Sequence, residues 1–218
     1  MVSISASNPD KLLVEKFRNH IQIGEEGRLR GSYRVRLEVP AGTNLETAVA
    51  SGNVDVRCPV GDLTARSASG DVNVAQVQGR TEIKMASGDV AVAEAGGDIR
   101  VVTASGDIKI THARGDCSTA TASGDIHLGT IDGGLNTKTA AGNVLVERFE
   151  GDALVAKTVS GKLDLSIPTG CRVDLDVRTL SGRVDLPSPI DGPTPDYLRD
   201  VQLRAKSVSG NISIGRAT

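Results

Sequence analysis

Four aspartates recur every eighteen residues, Asp71, Asp89, Asp107 and Asp125, and Asn53 and Asn143 continue the series at either end. Each follows a glycine directly. Acids repeated at one interval in a stacked chain can hold a row of divalent cations, as calcium-binding nonapeptide rolls do. Those rolls use Gly-Gly-x-Gly-x-Asp, whereas here one glycine precedes each acid. At one strand spacing, ~4.8 Å, neighbouring carboxylates repel by ~1 kcal/mol in water and ~3–4 kcal/mol at an effective dielectric of about 20. Turn amides and the preceding Ser hydroxyl can offset that repulsion without an ion. We therefore expect a structural ladder and no metal, with a calcium-binding roll as the alternative.

Asp164, Asp174, Asp176 and Asp185 form the other acidic cluster. Polysaccharide-cleaving enzymes built on β-helices gather carboxylates on long loops of one face, so a carbohydrate-active site near 164–200 is the enzyme alternative. Strand alternation in Val173-Asp174-Leu175-Asp176-Val177 already explains the spacing, and the turns within 52–159 are too short to wall a cleft. His20, His112 and His127 show neither His-x-His nor His-x3-His spacing, so shared metal ligation is not expected. Mixed signs at Asp62, Arg80, Asp98 and Asp116 point to turn capping on the opposite edge. Arg114-Gly115-Asp116 matches an integrin-ligand tripeptide, but its glycine belongs to a longer register. We expect no catalytic residue and no cofactor.

That register is the dominant feature of the chain. Glycine falls at every ninth position from Gly52 to Gly151, twelve nonapeptides in succession. Alternate glycines, Gly52, Gly70, Gly88, Gly106, Gly124 and Gly142, sit within Ala-Ser-Gly-Asp/Asn or its Ala-Ala variant, so the unit is eighteen residues in two similar halves. These six are the expected turn residues. Glycine permits φ > 0 and the following Asp or Asn can cap the turn. Counting each glycine as position one, positions three and five are mostly Val, Ile or Leu and position four is mostly polar, the alternation of a half-buried strand. Position eight is small, Ala at 68, 86, 95, 104, 113, 122 and 140, as a narrow interior needs where it turns a corner. Phe149, also at position eight, should widen its coil. Thr103, Thr121 and Thr139 at position seven read as solvated β-face threonines. Cys117 falls in an inward column as a small hydrophobe, while Cys58 and Cys171 lie outside those columns.

Such a unit buries its apolar side only by stacking, which predicts an all-β parallel β-solenoid with two short strands per coil. Parallel crossovers favour a right-handed winding. We read 1–218 as one solenoid domain: N-terminal strands and cap over 1–50, regular coils over 51–160, and irregular coils over 161–218 with an inserted loop at 187–200. Residues 31–40 alternate Val35, Leu37 and Val39 inward as a strand leading into the array. Leu12–Lys16 and Ile21–Ile23 read as strands, and the N-terminal segment is expected to cover the first coil, whose bare edge would otherwise stand unpaired. Pro187, Pro189, Pro193 and Pro195 interrupt the pattern, which resumes over Val201–Ile214.

Composition narrows the function. A net charge of −2 argues against binding driven by phosphate neutralisation, so no nucleic acid is expected. Aromatics at 2% leave almost no material for stacking platforms. The longest apolar runs are four residues, Val90–Ala93 and Ala153–Ala156, against the ~20 of a spanning helix, so no membrane insertion is expected. Three widely spaced cysteines suggest no disulfide framework. With no basic and apolar leader in Met1–Phe17, a cytoplasmic setting is the expectation.

The repeated Ser-Gly-Asp-Val/Ile-x-Val, after the lead-in Leu37-Glu38-Val39-Pro40-Ala41-Gly42, resembles the bacterial adhesin family of β-strand-repeat domains of unknown function over roughly 31–216. The resemblance implies a β-solenoid, self-association or partner binding, and no established catalytic residues. The expectation is a non-enzymatic, adhesin-like scaffold that binds a protein or cell-envelope partner, or another copy of itself through its ends or faces.

Overall fold

The computed structural model describes residues 2–6, 12–16, 21–25, 33–168, 171–186 and 199–217, with side chains over 38–167, 171–186 and 200–216. The chain divides into two compact units, Met1–Pro40 and Ala41–Thr218. In the first, β1 (Val2–Ala6) pairs antiparallel with β4 (Tyr33–Leu37), and β2 (Leu12–Lys16) pairs antiparallel with β3 (Ile21–Glu25). The two strands expected from the alternation around Ile21 and Ile23 are present. β4 is a strand as expected, and its partner is β1. The inward facing of Val35 and Leu37 and the expected cover over the first coil lie outside the described residues.

In the second unit the chain alternates between two sheets. It runs through β5 (Leu45–Ser51), β6 (Val54–Val56), β7 (Leu63–Ser69), β8 (Val72–Val77), β9 (Thr81–Ser87) and β10 (Val90–Ala95). It continues through β11 (Ile99–Ser105), β12 (Ile108–Ala113), β13 (Cys117–Ser123), β14 (Ile126–Ile131), β15 (Leu135–Ala141) and β16 (Val144–Phe149). The last strands are β17 (Ala153–Ser160), β18 (Leu163–Pro168), β19 (Cys171–Ser181), β20 (Val184–Asp185), β21 (Arg199–Ser209) and β22 (Ile212–Ala217). Among the described residues, the odd-numbered strands from β5 form one nine-stranded sheet and the even-numbered strands from β6 form another. All pairings within them are parallel. From β5 to β16 neighbours stand eighteen residues apart, Ile99 between Thr81 and Cys117, and Ile108 between Val90 and Ile126. This is the predicted β-solenoid.

The order of the final coils was not expected. β21 pairs with β17 on one side and β19 on the other, and β22 lies between β18 and β20. The coil that comes last in sequence thus lies inside the coil that precedes it. The Gly161 amide donates to Ser209 and the Gly210 amide to Ser181, so the corner ladder runs 161, 210, 182. These three coils carry the same Ser-Gly corner, Ser160-Gly161, Ser181-Gly182 and Ser209-Gly210, so the corner itself does not dictate their order. The expected loop over 187–200 falls largely outside the described residues, and β21 already begins at Arg199.

The two halves of a coil are not equivalent, which corrects the reading of position eight. In the first sheet the strand continues through position eight, so positions three, five and seven point inward. Ala68, Ala86, Ala104, Ala122 and Ala140 are therefore exposed, and Thr103, Thr121 and Thr139 are buried, not solvated. In the second half the chain bends after position six. Position eight there does turn a corner inward, as Val77, Ala95, Ala113, Ile131 and Phe149. Phe149 is fully buried, and the coil after it gains a residue at Asp152–Ala153, so that Leu154 pairs with Leu135. Consequently Leu154 and Ala156 face inward in place of Ala153 and Val155. Cys171 is buried as well, against expectation, because the long strand β19 starts on an inward position.

Candidate functional site

The six corner glycines have φ between 113° and 150°, a region essentially closed to other residues. At Gly106 a Cβ would also strike the Gly88 carbonyl of the coil below. The chain can stack at this corner only because no side chain starts there. Immediately after it stands the aspartate ladder. Asp89 N–H donates to Asp71 Oδ1 at 3.1 Å, Asp107 to Asp89 at 2.8 Å, and Asp125 to Asp107 at 2.8 Å. Asn53 and Asn143 extend the chain of bonds at both ends, to Asp71 N–H and Lys162 N–H. Each carboxylate thus accepts the amide of the next coil's turn, a charge-assisted bond that offsets the repulsion between rungs. The opposite edge repeats the device, with Asp62, Asp98 and Asp116 accepting from Arg80, Asp116 and Gly134. Asp116 of the Arg-Gly-Asp tripeptide is therefore part of the ladder.

The buried hydroxyls behind the corner serve it too. Thr103 and Thr121 donate to the carbonyls of Ser105 and Ser123, and Thr139 donates to Gly124. Thr119 donates to Thr137 across one rung at 2.9 Å. Replacing Asp107 by Ala should leave the Asp125 amide without its acceptor and cost about 1 kcal/mol. Asp107→Asn should be near neutral, because an amide oxygen does this work at Asn53. Urea midpoints of both variants test this; equal losses would mean that the charge itself matters.

No three His, Cys, Asp or Glu side chains converge to hold a metal among the described residues. His112 pairs with Asp132 at 2.9 Å and His127 with Glu147 at 2.6 Å, each separately. Cys117 is buried and desolvation pushes its thiol up to about 12, so it stays protonated at ordinary pH. Cys58 is half-buried against the core.

The second acidic cluster is split. Asp174 and Asp176 lie on β19 in the first sheet, while Asp164 on β18 and Asp185 on β20 belong to the second. Asp164 is tied to Lys162 at 2.7 Å. Asp174 and Asp176 share a shallow recess with Gln202 and Arg204. The hydrogen bond from Arg178 holds the Asp176 carboxyl below the usual carboxylate range, opposite to what a general acid requires.

The feature that sequence reasoning missed is the outer face of the first sheet. Position six stacks Lys138, Lys157, Lys206 and Arg178 on four successive rungs. Arg178 is neutralised by Asp176 at 2.7 Å, and Lys84 and Arg66, farther along the same column, by Glu82 at 2.5 Å and Glu46 at 2.8 Å. Lys138 and Lys157 stand beside Asn136 and Val155 and have no ion-pair partner among the described residues. Two residues on, the exposed alanine column ends in Val159 (52% exposed), Val208 (45%) and Leu180 (85%). A stripe of cations thus runs beside an exposed aliphatic stripe. Separating the two half-coils before comparing positions seven and eight would have exposed it.

Glycine-marked corners, ladders at eighteen-residue intervals and two parallel sheets define a β-solenoid repeat protein. Residues 17–215 match the family model described as Toastrack DUF4097, a β-strand-repeat domain of unknown function, and the chain belongs to that family. No curated protein and no solved structure matches the chain. Among the described residues, no helix is long and apolar enough to cross a membrane.

Proposed function

We propose that the chain is a non-enzymatic, adhesin-like scaffold whose first sheet offers its outer face to an anionic partner on a protein or the cell envelope. The carrying observation is the Lys138, Lys157 and Lys206 column beside Val159, Val208 and Leu180, on a protein whose net charge is −2. Stacked like charges oppose folding, and three exposed aliphatics gain nothing from water, so both are accounted for by a ligand that covers them. Parallel backbone fixes the spacing of both stripes, so the face needs no ordering on binding. Sedimentation with the host's envelope and soluble fractions tests the reading. The Lys138→Glu, Lys157→Glu, Lys206→Glu variant should lose at least about tenfold in retention, and wild-type retention should fall with salt. Equal retention by the variant at low salt would contradict the proposal.

A further inference from the structure

We propose that two copies of this chain join end to end through β19, forming a two-fold dimer in which the sheets of both copies run on continuously. The inference rests on the scaffold reading and names a second copy as one partner, at the β19 edge that adjoins the basic face at Arg178. Among the described residues, β19 pairs only with β21 and β20 only with β22, so both are edge strands. The inward columns of this coil are only partly covered, with Val173 and Val177 half-buried against the core. Leu175 is 36% exposed, Val184 38% and Leu186 53%, whereas Val201, Leu203 and Ile212 one rung inside are at 0%. A long edge strand with apolar residues on its inner side is a template for pairing.

The sequence of that edge says which partner fits. Arg172-Val173-Asp174-Leu175-Asp176-Val177-Arg178 reads the same in both directions. A two-fold axis normal to the sheets sets β19 antiparallel to its copy and keeps inner faces inner. Antiparallel partners share a face only when the pairing centre falls on a residue. Centred on Leu175, the pairing opposes Arg172 to Arg178 and Asp174 to Asp176, like charge against like. Centred on Asp174 it sets Arg172 against Asp176 in both directions with Asp174 facing its own copy on the axis, and centred on Asp176 it sets Asp174 against Arg178 twice with Asp176 facing its own copy. Each offset register also keeps Leu175 against a valine, Val173 or Val177. The offset edge therefore gains two Arg–Asp pairs against one Asp–Asp contact, whereas the symmetric register opposes only like charges. A strand carrying charges of one sign could not do this.

Sedimentation equilibrium of the full chain across concentrations, with circular dichroism to check folding, tests the proposal. The wild type should approach twice the 22.6 kDa chain mass. A basic edge, Asp174→Arg with Asp176→Arg, and an acidic edge, Arg172→Asp with Arg178→Asp, should each remain monomeric. Mixed in equal amounts, they should recover the doubled mass. A wild type that stays monomeric overturns the proposal, as does either variant dimerising alone or a mixture that stays monomeric. A monomeric wild type that still sediments with its partner fraction sinks the dimer and spares the scaffold reading; a dimer that has lost no affinity on reversal of the lysine column does the opposite.

Discussion

Gly106→Ala should lower the unfolding free energy by about 3–5 kcal/mol, read from the urea midpoint and slope. Two costs add at this position. The φ of +130° lies where only glycine is comfortable, at about 1–3 kcal/mol for another residue. The new methyl also meets the Gly88 carbonyl, which belongs to the stacked backbone and cannot swing aside, and overpacking of that kind costs about 1–3 kcal/mol. Gly215→Ala is the internal control. Its φ is not positive and the nearest atom to a Cβ there is Ser166 Oγ at 3.9 Å, so the same chemical change should be close to neutral. Similar losses at both sites would mean that chain entropy, and not the stacked corner, sets the need for glycine.

Phe149→Ala should cost about 3–5 kcal/mol, the range for emptying a large buried aromatic site. The ring is fully buried beside Ile131 in the neighbouring rung, and its Cζ lies 2.8 Å from where a Gly151 Cβ would stand. The backbone on that side has already given way, with the additional residue at Asp152–Ala153 accommodating the longer path round the corner. Alanine occupies the equivalent position at Ala95 and Ala113, but those coils keep the eighteen-residue length. The variant coil would have alanine in a corner sized for a ring. Phe149→Leu should recover most of the loss. A loss below about 1 kcal/mol for Phe149→Ala would show that the coil collapses onto the cavity.

The glycine register made the solenoid legible because a corner that excludes Cβ atoms leaves the same mark on every coil. The aspartate ladder was legible for a related reason: an amide at each corner needs an acceptor, and Asp or Asn after the glycine supplies it. What stayed hidden depended on differences between the two half-coils. Ala95 and Ala104 look alike in sequence, yet one turns a buried corner and the other stands in the exposed column. Pooling them concealed the aliphatic stripe and put the buried threonines on the surface. The acidic cluster dispersed because Asp164 and Asp174 are neighbours along the chain but on different sheets. The order of the last coils left almost no trace, since Gly161, Gly182 and Gly210 bear interchangeable corners. The alternating charges of β19, of the kind that edge strands carry, were the one available hint.

The central claim is that each glycine-marked unit forms one rung and that the final coil lies within the penultimate one. Paired cysteines on the exposed column test both parts, in a Cys58→Ser background. Adjacent rungs lie ~4.8 Å apart, within disulfide reach, and alternate rungs at about twice that lie beyond it. Ala104→Cys with Ala122→Cys and Val159→Cys with Val208→Cys should therefore oxidise within one chain, while Val159→Cys with Leu180→Cys should not. Rapid closure of the 159–180 pair with none of 159–208 would contradict the coil order, and failure of the 104–122 pair would contradict the solenoid itself.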